Sequence, residues 1–352
     1  MPRPTVFFRR SLRWMIAGAL CVTVALATLE TVYRLHLVPL YEPELRAFNP
    51  PPTLSGTDER PTLLALGDSF TASTFSYPAI LRERLPEWRV VNGGISGTGI
   101  VEAGIVAPAY IERFQPDVLL YQVYAGNDLW NFRRSAAPGA PVRSLYWQAA
   151  NYLPSLSFLN YRLAQRRADR GERPETPTTD EPFAPDRYTR NERTLLAFEP
   201  NLVEAHVRLT GKRGQDAPAW AEHIERLMEL CEPPACRPLV VVIPHKAQVT
   251  ARYRRHLKAL GAAFSGIPLA DSTGQYPLAD YLGERLSAPV LNVLPALQDR
   301  EAAGTSTYFV NDLHLSVTGQ QVVAETIETW IRGSDPRQGR TPAGVGPHDT
   351  GS

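Results

Sequence analysis

The sequence predicts an α/β protein with a five-stranded parallel sheet, preceded by an N-terminal transmembrane helix. Three observations predict it. Five short apolar runs alternate with helical patterns. The polar, glycine-containing segments fall directly after those runs or at helix starts. An apolar stretch of about 20 residues follows a cluster of arginines.

The first element is the N-terminal segment. Arg3, Arg9, Arg10 and Arg13 precede any acidic residue, and from Trp14 to Tyr33 the only charge is Glu30. At 1.5 Å per residue, about 20 residues are long enough to cross a bilayer. The arginines hold their end in the cytoplasm. Residues 1–37 therefore read as a cytoplasmic stub and membrane anchor, with the rest of the chain in the periplasm or outside the cell. A cleaved signal peptide is the rival reading, since Ala25-Leu26-Ala27 fits a small-residue cleavage site. A buried core helix is the third, but it leaves the arginines unexplained. Residues 38–61 read as a linker, whose Pro50-Pro51-Pro52 run favours extended polyproline geometry. Residues 333–352 carry almost no apolar side chains and read as a disordered tail.

The expected strands are Thr62–Leu66, Trp88–Asn92, Asp117–Val123, Leu239–Ile243 and Pro289–Val293. The expected helices are Tyr77–Leu85, Val101–Phe114, Trp220–Leu230, Val249–Leu260 and Gly319–Ile331. Strands alternating with helices give a parallel sheet covered on both faces. Right-handed crossovers make this a three-layer α/β/α, doubly wound, flavodoxin-like domain over residues 62–332. Residues 133–216 interrupt the alternation with charged, Pro-rich sequence and two helical pieces, Tyr152–Ala164 and Asn191–Leu209. This insertion reads either as a cap beside the site or as a surface loop without a role.

Composition removes several function classes. Among 352 residues, 37 Lys and Arg balance 36 Asp and Glu, so the basic excess of a nucleic-acid binder is missing. With 43% hydrophobic and 21% charged residues the chain can fill a core and is neither wholly disordered nor multi-spanning. The 32 prolines, against 24 glycines, point to long irregular connections. Three cysteines are too few for a disulfide scaffold or a cysteine-rich metal site. A disulfide between Cys231 and Cys236 is an open alternative in an exported domain.

Four segments carry chemistry. In Leu66-Gly67-Asp68-Ser69-Phe70 a buried strand ends, a glycine permits a tight turn, and Ser69 stands at a helix start, its hydroxyl exposed among backbone N–H groups. A plain helix cap is the bland alternative. Position 71 is Thr, so this is not the G-x-S-x-G elbow. Asn92-Gly93-Gly94-Ile95-Ser96-Gly97-Thr98-Gly99 follows the second strand. It fails the G-x-G-x-x-G nucleotide pattern and suits a backbone donor to a developing oxyanion, or simple flexibility. Gly126-Asn127-Asp128 follows the third strand and offers the Asn127 amide for the same purpose, or for an Asx turn. Asp312-Leu313-His314 can set a carboxylate against an imidazole N–H while the other ring nitrogen takes a serine proton. A helix-entry ion pair or half of a metal site are the alternatives.

Together, in this order, the four segments resemble the SGNH hydrolases, also called GDSL-type esterases, over roughly residues 62–332 with the insertion unmatched. The resemblance implies Ser69 as nucleophile, His314 as base and Asp312 as its orienter. It implies an oxyanion hole of the Ser69 and Gly97 N–H groups and the Asn127 side chain, and no cofactor or metal. Two positions depart from the family pattern: Ala125 stands where the third block commonly has Gly, and the acid lies two, not three, residues before the histidine. The shorter spacing resembles the membrane-associated branch and the branch that handles O-acetyl groups on polysaccharides. The implied function is a serine esterase acting on a short-chain, small-molecule or carbohydrate O-acyl ester. A polysaccharide O-acetyltransferase using the same residues, or a non-catalytic binding module, are the alternatives.

The remaining histidines are weaker signals. His245 and Lys246 follow the fourth strand and read as solvated loop residues, with His245 at the site rim or Lys246 facing an anionic substrate as alternatives. His223 reads as a helix-surface residue, and His206 and His256 have no evident chemical neighbours.

Overall fold

Uninterrupted apolar runs leave a strand no face for water, so they settle where both faces are covered. A computed structural model describes residues 4–54, 58–134, 141–169, 178–179, 181–188, 193, 196–197, 199–266, 269 and 277–333. Its strands are β1 (Thr62–Leu66), β2 (Arg89–Asn92), β3 (Val118–Tyr124), β4 (Arg237–Ile243) and β5 (Val290–Asn292). All ladders are parallel, in the order β2-β1-β3-β4-β5. The expected doubly wound sheet is therefore present. Leu64 of β1 pairs with Val91 of β2 and Leu119 of β3. From β1 the chain winds outward in opposite directions, so the carboxyl ends of β1 and β3 flank the switch point where such sheets bind ligands.

The helices are α1 (Pro4–Arg34), α2 (Glu42–Phe48), α3 (Tyr77–Arg84), α4 (Ile100–Phe114), α5 (Asp128–Phe132), α6 (Pro141–Ala150), α7 (Pro154–Asp169), α8 (Leu202–Arg208), α9 (Gly211–Met228), α10 (Lys246–Val249), α11 (Ala251–Ala259), α12 (Pro277–Arg285), α13 (Leu294–Ala302) and α14 (Val317–Gly333). The crossover from β1 to β2 runs opposite to that from β2 to β3. Right-handedness then puts α3, with α14 packed on it, on one face, and α4, with α9, on the other.

Several boundaries differ from expectation. The expected helix Val249–Leu260 splits into α10 and α11, because the Thr250 hydroxyl caps α11 by accepting the Tyr253 N–H at 3.3 Å. Helix α9 starts at Gly211, well ahead of Trp220, since Ala217, Trp220, Ala221 and Ile224 bury one helical face that its polar first turns hide in sequence. Helices α12 and α13 were not expected. Each is only nine residues, too short for its period to stand out.

Residues 38–61 are not an extended spacer. They form α2 and a 3₁₀ turn over Pro51–Leu54. Tyr41 and Leu45 are buried. Asn49 accepts the Asn92 N–H at 2.8 Å and donates to the Asn92 carbonyl at 2.7 Å, tying off the end of β2. Polyproline geometry has no internal hydrogen bonds to defend it, so this burial overrides it. Within the insertion, α7 matches the first expected helical piece and α8 falls in the second, while α6 is additional. Residues 135–140 and 170–177 of the insertion, and the expected tail beyond Gly333, lie outside the described residues. The Cys231–Cys236 disulfide is formed, with Cα atoms 5.1 Å apart.

Candidate active site

The turn after β1 sets Ser69. Asp68 is buried; its backbone N–H donates to Gln122 Oε1 at 3.2 Å, and its carboxylate accepts the Phe70 N–H at 3.0 Å. Gly67 has no space for a side chain, since a Cβ there would stand 2.4 Å from Thr71 Oγ1 and 2.5 Å from Gln122 Oε1. The turn therefore closes tightly against β3 and leaves Ser69 half-exposed.

Ser69 Oγ lies 2.7 Å from His314 Nε2, and His314 Nδ1 lies 2.5 Å from Asp312 Oδ1. An ionised carboxylate can only accept, so Nδ1 carries the proton and Nε2 presents its lone pair to the Ser69 O–H. The same Asp312 oxygen accepts the backbone N–H of His314 at 2.6 Å. That second bond explains how an acid only two residues away reaches the ring: the loop closes on itself. Burial pulls the Asp312 carboxyl upward, but the His314 hydrogen bond and the His314 and Lys246 charges outweigh it and hold it below the ordinary value. The Phe70 ring packs 5.0 Å from the His314 ring and 4.1 Å from that of Tyr124.

The two other expected residues stand on the neighbouring loops. Gly97 is exposed, in the left-handed region at φ +70°, and its carbonyl accepts from Arg134 Nη2 at 2.9 Å. Asn127 precedes α5, and its side-chain amide faces the Asp68 carboxyl. Burial raises the Asp68 carboxyl, partly offset by the Phe70 N–H, the His314 charge and the Asn127 and Gln122 amides. The loops are tied together: Ile95 N–H donates to Gly67 O at 2.9 Å, and Asn131 Nδ2 donates to Thr98 O at 3.2 Å. Ser69, Gly97 and Asn127 thus occupy the loops after β1, β2 and β3, along one edge of the sheet.

Four residues depart from their expected surroundings. His245 and Lys246 are fully buried, not solvated. His245 Nδ1 accepts the Ala247 N–H at 3.1 Å, capping α10, and burial, then the Lys246 charge, pushes the imidazole down to about 3. Lys246 Nζ reaches the carbonyls of Phe309 at 2.7 Å, Val310 at 3.1 Å and Asp312 at 2.8 Å, and the Tyr188 hydroxyl at 3.1 Å. Buried charges persist where hydrogen bonds saturate them, as here. His206 is buried too and donates from Nδ1 to the Gly126 carbonyl at 2.9 Å, bracing the Asn127 turn. His223 is half-buried against Phe132, its ring 5.1 Å away, rather than on the surface.

The insertion also touches the site from behind. Ala184 N–H donates to Asn311 Oδ1 at 2.8 Å, Asn311 Nδ2 donates to the Pro182 carbonyl at 2.8 Å, and the Tyr188 hydroxyl donates to the Val310 carbonyl at 2.7 Å. Segment 181–188 therefore braces the loop that carries Asp312 and His314. No local pattern in 181–188 announces this, since the contacts join residues more than 120 positions apart.

No protein-family model matches the sequence, and no curated protein matches it. Among solved structures the chain is similar to the acetyl xylan esterase AlAXEase, at 10% identity and a TM-score of 0.40 over 77% of this chain and 99% of that one. It is similar to a catalytic variant of an acetylxylan esterase from Geobacillus stearothermophilus at 15% identity and a TM-score of 0.37, over 77% and 93% of the two chains. For TesA the values are 12% and 0.36, over 77% and 98%. Identities and TM-scores this low leave the chemistry to be argued from the site itself.

Proposed function

We propose that this chain is a membrane-anchored serine esterase of the SGNH type that hydrolyses an O-acyl ester, of short acyl chain and with a small-molecule or carbohydrate alcohol. The carrying observation is the relay from Ser69 Oγ to His314 Nε2 at 2.7 Å and from His314 Nδ1 to Asp312 Oδ1 at 2.5 Å. Serine alone is a weak nucleophile and needs a base within hydrogen-bond reach. His314 takes the Ser69 proton as Oγ attacks the ester carbonyl. Asp312 holds the ring and stabilises the imidazolium. The Ser69 and Gly97 N–H groups and the Asn127 amide receive the negative charge that develops on the carbonyl oxygen. One such donor typically lowers a barrier by about 3 kcal/mol. His314 then returns its proton to the departing alcohol, and water, activated by the same imidazole, releases the acid from Ser69.

The anchor reading rests on α1. Its Arg13–Arg34 stretch has 22 residues, and the most apolar 18-residue window within it has a mean hydropathy of 1.9 and is almost wholly outside the protein core. At 1.5 Å per residue that is about 33 Å, the thickness of a bilayer core. The arginine cluster before it supports an extracytoplasmic sheet domain.

Ser69→Ala in the full chain tests the chemistry. Turnover of a short-chain p-nitrophenyl ester should fall by roughly 10⁴-fold or more, with the melting temperature unchanged and fluorophosphonate labelling lost. Near-wild-type turnover in that variant refutes the assignment. Supplying an oligosaccharide acceptor during turnover separates hydrolysis from acyl transfer to a sugar hydroxyl.

A further inference from the structure

We propose that α6 and α7 form a foot on the membrane surface, an apolar-faced hairpin seated in the headgroup region of the bilayer that α1 crosses. The proposal rests on the reading of α1 as an anchor, and names the surface that the insertion serves.

The hairpin is fixed to the outer end of α1. Ser155 N–H donates to Glu30 Oε2 at 3.2 Å, and Arg34 Nη2 donates to the Tyr152 carbonyl at 2.8 Å. The Phe158 ring packs 5.4 Å from that of Tyr33. The described side chains of α1 before Leu29 are all exposed, while Glu30 and Tyr33 are buried by the protein. Protein contact therefore begins in the last two turns of the span. The turn between α6 and α7 sits at that level, because Arg34 closes the span and holds Tyr152.

The hairpin and the residues after α1 carry most of the exposed apolar side chains. Outside α1, the described residues include eleven exposed large hydrophobics, and eight of them lie on the hairpin or directly after α1. Val142 is 83% exposed, Leu145 68% and Tyr152 80%. Val142 and Leu145 are three apart on α6 and share a face. Leu159 and Leu163, four apart, do so on α7, and Leu35, Leu37 and Val38 are exposed directly after α1. The opposite side of the hairpin is folded into the protein through Trp147, Ala150 and Phe158. One-sided apolar helices lie in membrane interfaces, where tyrosine is also favoured. The occupant is the bilayer because the hairpin is bonded to the end of the element that enters it.

The foot also reaches the candidate site. A cavity of about 220 Å³ is lined by Ser96, Gly97 and Thr98 on one side and by Ser157, Phe158 and Asn160 of α7 on the other. The helix that rests on lipid thus shapes the space beside Gly97.

Nitroxide labels on the full chain in phosphatidylcholine–phosphatidylglycerol vesicles test this. Cys21 is the free cysteine among the described residues, so a Cys21→Ser background allows single labels at Leu145→Cys, Tyr152→Cys, Val24→Cys and Glu222→Cys. The foot requires the 145 and 152 labels to favour oxygen over a nickel chelate as collision partner, by about threefold or more relative to the label at 222. Equal nickel access at 145, 152 and 222, with the label at 24 in lipid, overturns the foot and spares the anchor. Shielding of 145 and 152 from both collision partners overturns it in favour of a protein partner. Nickel access at 24 overturns the anchor, and the foot with it.

Discussion

Lys246 Nζ donates to the backbone carbonyl of Asp312 at 2.8 Å, from a position fully buried beneath the loop that carries His314. The same ammonium meets the carbonyls of Phe309 and Val310 and the hydroxyl of Tyr188. One cation thus gathers three carbonyls of the loop that the Tyr308–Leu315 bridge closes. The loop of the candidate base is thus held from beneath by a buried lysine.

Lys246→Met should leave the Phe309 and Asp312 carbonyls without their donor, while Val310 keeps the Tyr188 hydroxyl. Each unpaired group costs about 1–3 kcal/mol, so the variant should lose roughly 3 kcal/mol or more by urea unfolding. In the folded fraction, counted by fluorophosphonate labelling, kcat should fall at least about tenfold with KM little changed. A parallel rise in KM with kcat intact would mark Lys246 as a substrate-binding group instead.

Asp312→Asn keeps the shape but loses the charge opposite the ring. On the proposed mechanism kcat should drop by about 10³–10⁴-fold. Because the carboxyl is held below its ordinary value, its stabilising contribution is complete above the unfolded carboxylate pKa of about 3.9 and is lost as pH falls through the lower folded value. The difference in melting temperature between wild type and variant should therefore narrow below pH 4, as the carboxyl takes up its proton.

His245 makes the fold acid-sensitive in a higher window. Its folded pKa is about 3, while an unfolded histidine titrates near 6.5. Between these values the unfolded chain binds the extra proton, so stability falls as pH drops from 6.5, by up to about 1.4 kcal/mol per unit. His245→Asn can still accept the Ala247 N–H. Melting temperatures at pH 7.0, 5.5 and 4.5 should decline less steeply in that variant. An identical slope would remove His245 from the account.

Gly67→Ala would drive a methyl into Thr71 and Gln122. The turn must shift, at about 1–3 kcal/mol, and Ser69 shifts with it. Activity should fall further than stability alone explains. A variant with unchanged melting temperature and turnover would show the turn to be less tightly closed than these contacts require.

The strands and the residues that end them were legible one segment at a time. Apolar runs such as Leu63–Leu66 and Val118–Val123 stated their own burial, and the Gly-Asp-Ser turn, the Asn127 turn and Asp312-x-His314 each sat at a strand end or a helix start, where the local pattern exposes polar groups. His245, Lys246 and His206 were not legible. Taken alone, a charged or titratable side chain belongs in water, and only partners far along the chain reverse that. The docking of α2 and Asn49 on β2, and of segment 181–188 on the Asn311 loop, was hidden for the same reason.

By itself, the sequence determined the parallel sheet, the apolar stretch of α1 and the segments that carry the candidate site residues, because periodicity and composition act over a few residues. The tertiary structure alone decided that Ser69 and His314, 245 positions apart, meet at 2.7 Å. It alone also decided that a lysine is buried beneath their loop and that the insertion packs against the end of α1. Those outcomes depend on which distant surfaces bury one another, and no local pattern encodes that choice.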